Sequence, residues 1–206
     1  MLIIQLTGLS GSGKTTLSCL VKQSLEQQNI NVELIDGDEY RKTLCKDLGF
    51  SKADRCENIR RLGSAAFEFT AMRDVAIIAA INPYEEIRNE LKQRYNAKTI
   101  WINCPLAELI KRDTKGFYKR ALLPEGNPDK IYNFTGITDD YELPVDFDLA
   151  IHTQSETIEQ SVIKLSDFIF KLALFYSSNG FLMRVIGKLV LLITRNFIFF
   201  RNGFSG

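Results

Sequence analysis

The sequence predicts an α/β fold, a parallel sheet with helices on both faces. Short apolar runs alternate with segments of helical spacing along most of the chain, which is the pattern of repeated strand–helix–strand units. One of these runs, Val75 to Ile81, is almost wholly apolar, as a central parallel strand covered on both sides must be.

Leu2 to Thr7 is apolar and ends in a glycine-rich turn, so it reads as a buried strand. Thr15 to Gln28 places Leu17, Leu20, Val21 and Leu25 at helical intervals. Val32 to Ile35 is a second strand, ending at Asp36-Gly37-Asp38. Asp54 to Met72 reads as a long helix, Val75 to Ile81 as a strand, Tyr84 to Tyr95 as a helix and Thr99 to Asn103 as a strand. Pro105 opens a further helix, since its missing N–H is no loss in a first turn. Gly116 to Pro144 is rich in Pro, Gly and Asn and predicts a long loop or lid. Leu149 to Ile151 is a last short strand. A helix to about Lys171 follows, with Thr153 and Glu156 spaced as its capping box.

The chain has 206 residues, enough for one domain with an appendage, and a net charge of +1. That balance gives no global signal for nucleic acid, so anion binding has to come from local clusters. Cys19, Cys45, Cys56 and Cys104 form no C-x-x-C pair and no zinc-spaced set, and are expected to be small buried hydrophobes. The amino-terminal run lacks a basic flank and leads straight into a motif that needs a strand before it. It is therefore read as part of the fold, in a cytoplasmic protein, rather than as a signal peptide. Phe181 to Phe200 changes character. It is strongly apolar yet carries Arg184, Lys188 and Arg195 on one helical stripe, so a docked amphipathic helix is favoured over a basic interfacial membrane helix or a span. Residues 1–172 are expected to form the domain and 173–206 a separate tail.

Chemistry enters with Gly8-Leu9-Ser10-Gly11-Ser12-Gly13-Lys14-Thr15, which matches G-x-x-x-x-G-K-[ST]. Glycines at these positions let backbone N–H groups turn inward around phosphates, and the following helix points its positive end at the same anion. Lys14 would reach the β- and γ-phosphates of ATP, and the Thr15 hydroxyl would ligate Mg²⁺. The fold class is thus a three-layer P-loop NTPase fold with a lid. A P-loop alone means nucleotide binding, not a particular reaction. An N-K-x-D base-reading motif is missing from the sequence, and Val75 to Ile81 does not end in the usual metal-binding aspartate. Asp36 and Asp38 are the carboxylates available for metal or for accepting a hydroxyl proton; from the residues alone they also fit a solvated turn. Arg41, Arg55, Arg60 and Arg61 follow, and arginine's planar fork suits phosphate or sulfate, although a solvated helix face fits equally well. Arg55 and Asn58 fall on one helical face.

Taken together these residues resemble adenylylsulfate kinases. The matching stretches are the Gly8–Thr16 loop, Asp36-Gly37-Asp38 with Arg41, Leu48-Gly49-Phe50-Ser51 leading to Asp54-Arg55, and Glu57-Asn58-Ile59-Arg60-Arg61. Asn82-Pro83-Tyr84, Cys104-Pro105-Leu106, Arg112-Asp113, Lys115 to Lys119 and Asn133 to Ile137 follow in the family's order. The resemblance implies ATP-dependent phosphorylation of adenosine 5′-phosphosulfate at its 3′-hydroxyl. It implies ATP and Mg²⁺ held by Gly8, Ser10, Gly11, Ser12, Gly13, Lys14, Thr15 and Thr16, with Asp36 on the metal and Arg112 on the nucleotide side. Lys14, Asp36 and Asp38 would be catalytic. Asp38, Arg41, Phe50, Arg55, Asn58, Ile81, Asn82, Lys115, Phe134 and Thr135 would line the acceptor pocket, with Phe134 stacking on the adenine opposite Phe50. A homodimer is implied as well. Asn82 stands where the family usually has serine; asparagine cannot carry phosphate, so a phosphoenzyme at this position is excluded. The Ala121 to Tyr132 stretch is longer than the family's usual connection, which keeps open a kinase for another small hydroxylated metabolite. A nucleotide-binding module without turnover is the other alternative.

Overall fold

A computed structural model describes residues 2–176. The apolar, basic stretch 181–200 and the helix expected there lie outside the described residues.

Five parallel strands form the sheet, in the order β2-β3-β1-β4-β5. They are β1 (Leu2–Thr7), β2 (Val32–Asp36), β3 (Val75–Ala79), β4 (Lys98–Asn103) and β5 (Leu149–His152). All residues of β1 and β3 are buried, because helices cover both faces of these central strands. They pair in register from Leu2 opposite Val75 to Leu6 opposite Ala79.

The helices are α1 (Lys14–Glu26), α2 (Gly37–Tyr40), α3 (Lys52–Phe69), α4 (Glu85–Tyr95), α5 (Leu106–Arg112), α6 (Phe117–Ala121) and a last helix, α7, over 158–176. Alternating side chains of β1 divide the core. Leu2, Ile4 and Leu6 pack with Leu17, Val21 and Leu25 of α1 and Leu165 and Ile169 of α7. Ile3, on the other face, packs with Ile59 and Leu62 of α3 and Ile87 and Leu91 of α4. Truncating one of these buried leucines or isoleucines to alanine costs about 2–5 kcal/mol through lost transfer energy and the cavity left behind.

Three local expectations are corrected. The capping box at the start of α7 is Thr157 with Gln160, not Thr153 with Glu156. The Thr157 N–H donates to Gln160 Oε1 at 2.9 Å and the Gln160 N–H to Thr157 Oγ1 at 3.2 Å. The chain is still turning at Thr153, so no helical N–H groups lie ahead of it to be capped, and α7 runs beyond Lys171 with Ala173 in the core. The lid is not loop throughout. Gly116 takes φ 68°, and the Asp113 carboxylate accepts the N–H groups of Tyr118 and Lys119, which nucleates α6. Among the cysteines, Cys45, Cys56 and Cys104 are buried but Cys19 is exposed, since it points away from the Leu17–Val21 stripe of α1.

Gln5 is a polar residue inside the apolar β1 and is fully buried. Its amide nitrogen donates to the Arg88 carbonyl and to Thr99 Oγ1, both at 2.9 Å, and its Oε1 accepts from Asn82 Nδ2 at 2.9 Å. Burial of an amide is tolerated only when it is satisfied in this way. Among the described residues, no helix is long and apolar enough to cross a membrane.

Candidate active site

Parallel strands carry their ligands at the carboxyl edge. Here β1 delivers the Gly8 loop, β2 Asp36, β3 Ile81 and Asn82, and β5 Thr153 to that one edge.

Gly8 is forced by close packing: a Cβ there would lie 2.5 Å from the Ile102 carbonyl oxygen and 2.8 Å from Ser12 Oγ. Gly13, the residue before α1, has φ 101°, which a side chain would strain. Side chains engage four of the loop's carbonyls. Lys14 Nζ donates to the Gly8 and Leu9 carbonyls at 2.8 Å each, the Tyr118 hydroxyl to Ser10 at 2.8 Å and Thr153 Oγ1 to Ser12 at 3.1 Å. Arg112 in turn donates to the Thr153 carbonyl at 3.0 Å. The first turn of α1 holds no acidic residue, so its positive end stays unneutralised toward the loop.

Burial pushes the Lys14 ammonium down to about 8, partly offset by Asp38 and Asp36 and reinforced by Lys115. A bound phosphate favours the charged form, so above about pH 8 nucleotide binding must draw a proton onto Lys14. Affinity for a non-hydrolysable ATP analogue should therefore fall as pH rises from 7 to 9, by up to about tenfold per unit. Calorimetry in buffers of different ionisation enthalpy would show proton uptake at pH 9. An unchanged Kd with no proton uptake would refute the assignment of Lys14 to the phosphates.

The residues fit Mg²⁺ and a phosphate chain. Thr15 Oγ1 donates to Asp36 Oδ2 at 2.9 Å, an exposed hydroxyl–carboxylate pair of hard oxygens. Ser12 Oγ is buried without a hydrogen-bond partner among the described residues. No group of three His, Cys, Asp or Glu side chains among the described residues forms a metal cage. Mg²⁺ keeps waters and binds through one or two protein oxygens plus substrate phosphates, a share that Thr15 and Asp36 can supply.

The two aspartates have different surroundings. Asp36 Oδ1 caps α2, accepting the Asp38 and Glu39 N–H groups at 2.9 and 3.4 Å, while Oδ2 faces Thr15. Asp38 is exposed, and its Oδ2 lies 3.3 Å from Lys115 Nζ of the lid.

Beyond them lies a cationic pocket. The Phe50 ring is 55% exposed and has Arg41 4.5 Å and Arg55 5.5 Å from its centroid. Arg41 donates to the Leu48 and Gly49 carbonyls at 3.3 and 2.9 Å, and burial together with the neighbouring Arg55 lowers its pKa. Arg55 is buried; its guanidinium donates to the carbonyls of Phe50 and Asn133 and pairs with Asp139 at 2.9 Å. Asn58, one turn along α3, is buried with its Oδ1 unpartnered among the described residues, as is the buried Thr135 Oγ1. Burial and the adjacent Asp139 push the Tyr84 hydroxyl up to about 12.

Two expected pocket residues sit differently. Asn82 is 1% exposed with φ 47°, and its amide nitrogen is bonded to Gln5 inside the sheet rather than offered to the cleft. Its carbonyl accepts from Thr7 Oγ1 and Arg88, and the Ile81 carbonyl from the Gly8 N–H, so this strand end braces the loop. Phe134 meets the lid edge-on, 5.0 Å from Tyr118 and 6.2 Å from Phe117, while Phe50 keeps company with the arginines. Tyr118, Thr153 and Asp139 are site residues to which the sequence assigns no site role. Tyr118 lies inside a recognised motif, but hydroxyl-to-carbonyl contacts across more than a hundred residues leave no local sequence signal.

The family model described as adenylylsulphate kinase matches residues 1–152. An adenylyl-sulfate kinase of Picosynechococcus sp. is 43% identical over 160 residues, covering 77% of this chain and 88% of its own length. That of Rippkaea orientalis is 42% identical over 163 residues, covering 79% and 87%. The structure of the Mycobacterium tuberculosis APS kinase in complex with AMPPNP and APS matches with a TM-score of 0.74 at 32% identity, over 82% of this chain and 96% of that one.

Proposed function

The chain belongs to the adenylylsulfate kinase family, and from that premise we propose how its residues carry out the family's phosphoryl transfer. The protein is an ATP-dependent phosphotransferase that converts adenosine 5′-phosphosulfate to 3′-phosphoadenylylsulfate, a step of sulfate assimilation. The observation that supports the assignment of roles is the arrangement of the carboxyl edge. A lysine-bearing phosphate loop and an Arg41–Phe50–Arg55 pocket flank the same two aspartates.

Lys14 and the amides of Gly11 to Thr16 bind the nucleotide phosphates, with Arg112 on the nucleotide side. Thr15 and Asp36 would hold Mg²⁺, which when bound neutralises charge on the transferring phosphoryl group. Asp36 suits that role because both its oxygens are fixed, one by the α2 cap and one by Thr15. Asp38 has no such anchor in the backbone. It is the group that orients the acceptor hydroxyl and accepts its proton, with Lys115 across from it on the lid.

Arg41 and Arg55 hold the phosphosulfate, and the Phe50 face takes the adenine. Asn58 Oδ1 and Thr135 Oγ1 are desolvated acceptors that need a donor, which the substrate supplies. Closure of the lid through Lys115 and Phe134 excludes water, so that ATP is not hydrolysed unproductively. A homodimer in the cytoplasm is the expected state, checked by light scattering.

The direct test is a coupled ADP assay with adenylylsulfate as the varied substrate, with the product identified by mass. No ADP release above background, alongside release with another hydroxylated acceptor, would overturn the substrate assignment. Within that assay, Arg55→Ala should raise the adenylylsulfate KM by roughly a hundredfold or more, the scale of losing a charge-assisted fork, with the ATP KM little changed. Equal effects on both would remove Arg55 from the acceptor site.

A further inference from the structure

The carboxylate of Asp139 joins three elements of the acceptor side. Its Oδ2 lies 2.9 Å from Arg55 Nε on α3. Both its oxygens face the hydroxyl of Tyr84, which precedes α4, at 3.2 and 3.3 Å. Its own backbone closes the 134–139 turn: the Asp139 N–H donates to the Phe134 carbonyl at 3.2 Å, and its carbonyl accepts the Gly136 N–H at 2.7 Å. That turn carries Phe134 and Thr135. It also rests on the phosphate loop, where a Cβ on Gly136 would lie 2.7 Å from Leu9 Cδ2.

All three partners are shielded. The side chains of Arg55 and Asp139 are 8% and 22% exposed, and Tyr84 is 2% exposed. In such surroundings the Arg55–Asp139 ion pair and the hydrogen bond that the Tyr84 hydroxyl donates to the same carboxylate are costly to break, because a partner is left unpaired away from water. Arg55 is left with little freedom, because its guanidinium is also tied to the Phe50 and Asn133 carbonyls. The fork is therefore aimed before any anion arrives, and the carboxylate that aims it also fixes the turn bearing Thr135.

We propose that Asp139 is a positioning residue for the acceptor: it orients the Arg55 fork and locks the Phe134–Thr135 turn over the pocket, so that acceptor binding and closure of that turn are one event. The inference rests on the assignment of Arg55 to the sulfated nucleotide. Asp139 touches no reacting atom. Its loss acts on acceptor binding and not on the nucleotide site or on the chemical step.

The test is steady-state kinetics of the full chain with Asp139→Asn. Neighbouring Asp140→Asn serves as a control for the loss of one negative charge, since Asp140 is exposed. Asp139→Asn should raise the adenylylsulfate KM about tenfold or more, the scale of one charge-assisted hydrogen bond, while the ATP KM stays within about twofold and kcat within about threefold. In an Arg55→Lys background the further effect of Asp139→Asn should be clearly smaller, because lysine has no fork to aim and only the hold on the turn is left to lose. A merely structural role would lower the melting temperature without separating the two KM values. Should Asp139→Asn fail to fold, Asp139→Glu, which keeps the charge but displaces it, must show the same separation. Parallel changes in both KM values, or full additivity with Arg55→Lys, would overturn the proposal while leaving the kinase assignment intact. Absence of turnover by the unaltered chain would instead sink the reading on which it rests.

Discussion

Lys14→Ala should lower kcat/KM by roughly a thousandfold while leaving the fold in place. The charge is lost from the group that faces the transferring phosphoryl oxygens, and a single preorganised donor at such a position is worth about 10²–10³ in rate. Loss of ground-state nucleotide binding adds to that. The fold should survive because the Lys14 ammonium is a buried cation that burial disfavours. Its removal leaves the Gly8 and Leu9 carbonyls without their donor but relieves the desolvation of a charge, two effects of opposite sign. Circular dichroism and thermal melting alongside the ADP assay separate the cases. An alanine variant that melts normally and retains more than a tenth of wild-type kcat/KM would remove Lys14 from the transferring group.

Asp38→Asn should reduce kcat by about a hundredfold or more, with both KM values within a few-fold of wild type. General-base contributions run at about 10²–10⁴, and asparagine keeps the size of the side chain while removing its capacity to accept a proton. The same change at Asp36 should behave differently. Asp36 caps α2 and faces Thr15, so Asp36→Asn should raise the Mg²⁺ concentration needed for half-maximal rate. A magnesium titration of both variants, at saturating substrates, distinguishes the two roles. If Asp38→Asn is rescued by added magnesium and Asp36→Asn is not, the assignments are reversed.

The glycine loop was legible because its chemistry is local: the glycines, the lysine and the hydroxyl lie within eight consecutive residues, between a strand and a helix. The pairing of Arg55 with Asn58 was legible for a similar reason, since helical periodicity places residues three apart on one face. Spacing alone misled at the last helix. Thr153–Glu156 and Thr157–Gln160 both satisfy the capping-box pattern, and only the path of the backbone selects the second. Thr153, released from that role, holds the Ser12 carbonyl instead. Asn82 shows a related limit. Its position at the end of β3 was readable, but its turn into the sheet follows from Gln5, a polar residue on a different strand.

Taken alone, the amino-acid order determined the alternating architecture, the phosphate loop and the family to which the acceptor pocket belongs, because strand and helix periods and short motifs are properties of neighbouring residues. Only the tertiary structure decided the separate surroundings of Asp36 and Asp38, the lid contact of Lys115, and the Arg55–Asp139–Tyr84 cluster. Those contacts join residues far apart in the chain. A charged or polar pair of that kind has no period and no fixed spacing, and forms only when packing of the apolar core brings its elements to the same edge of the sheet.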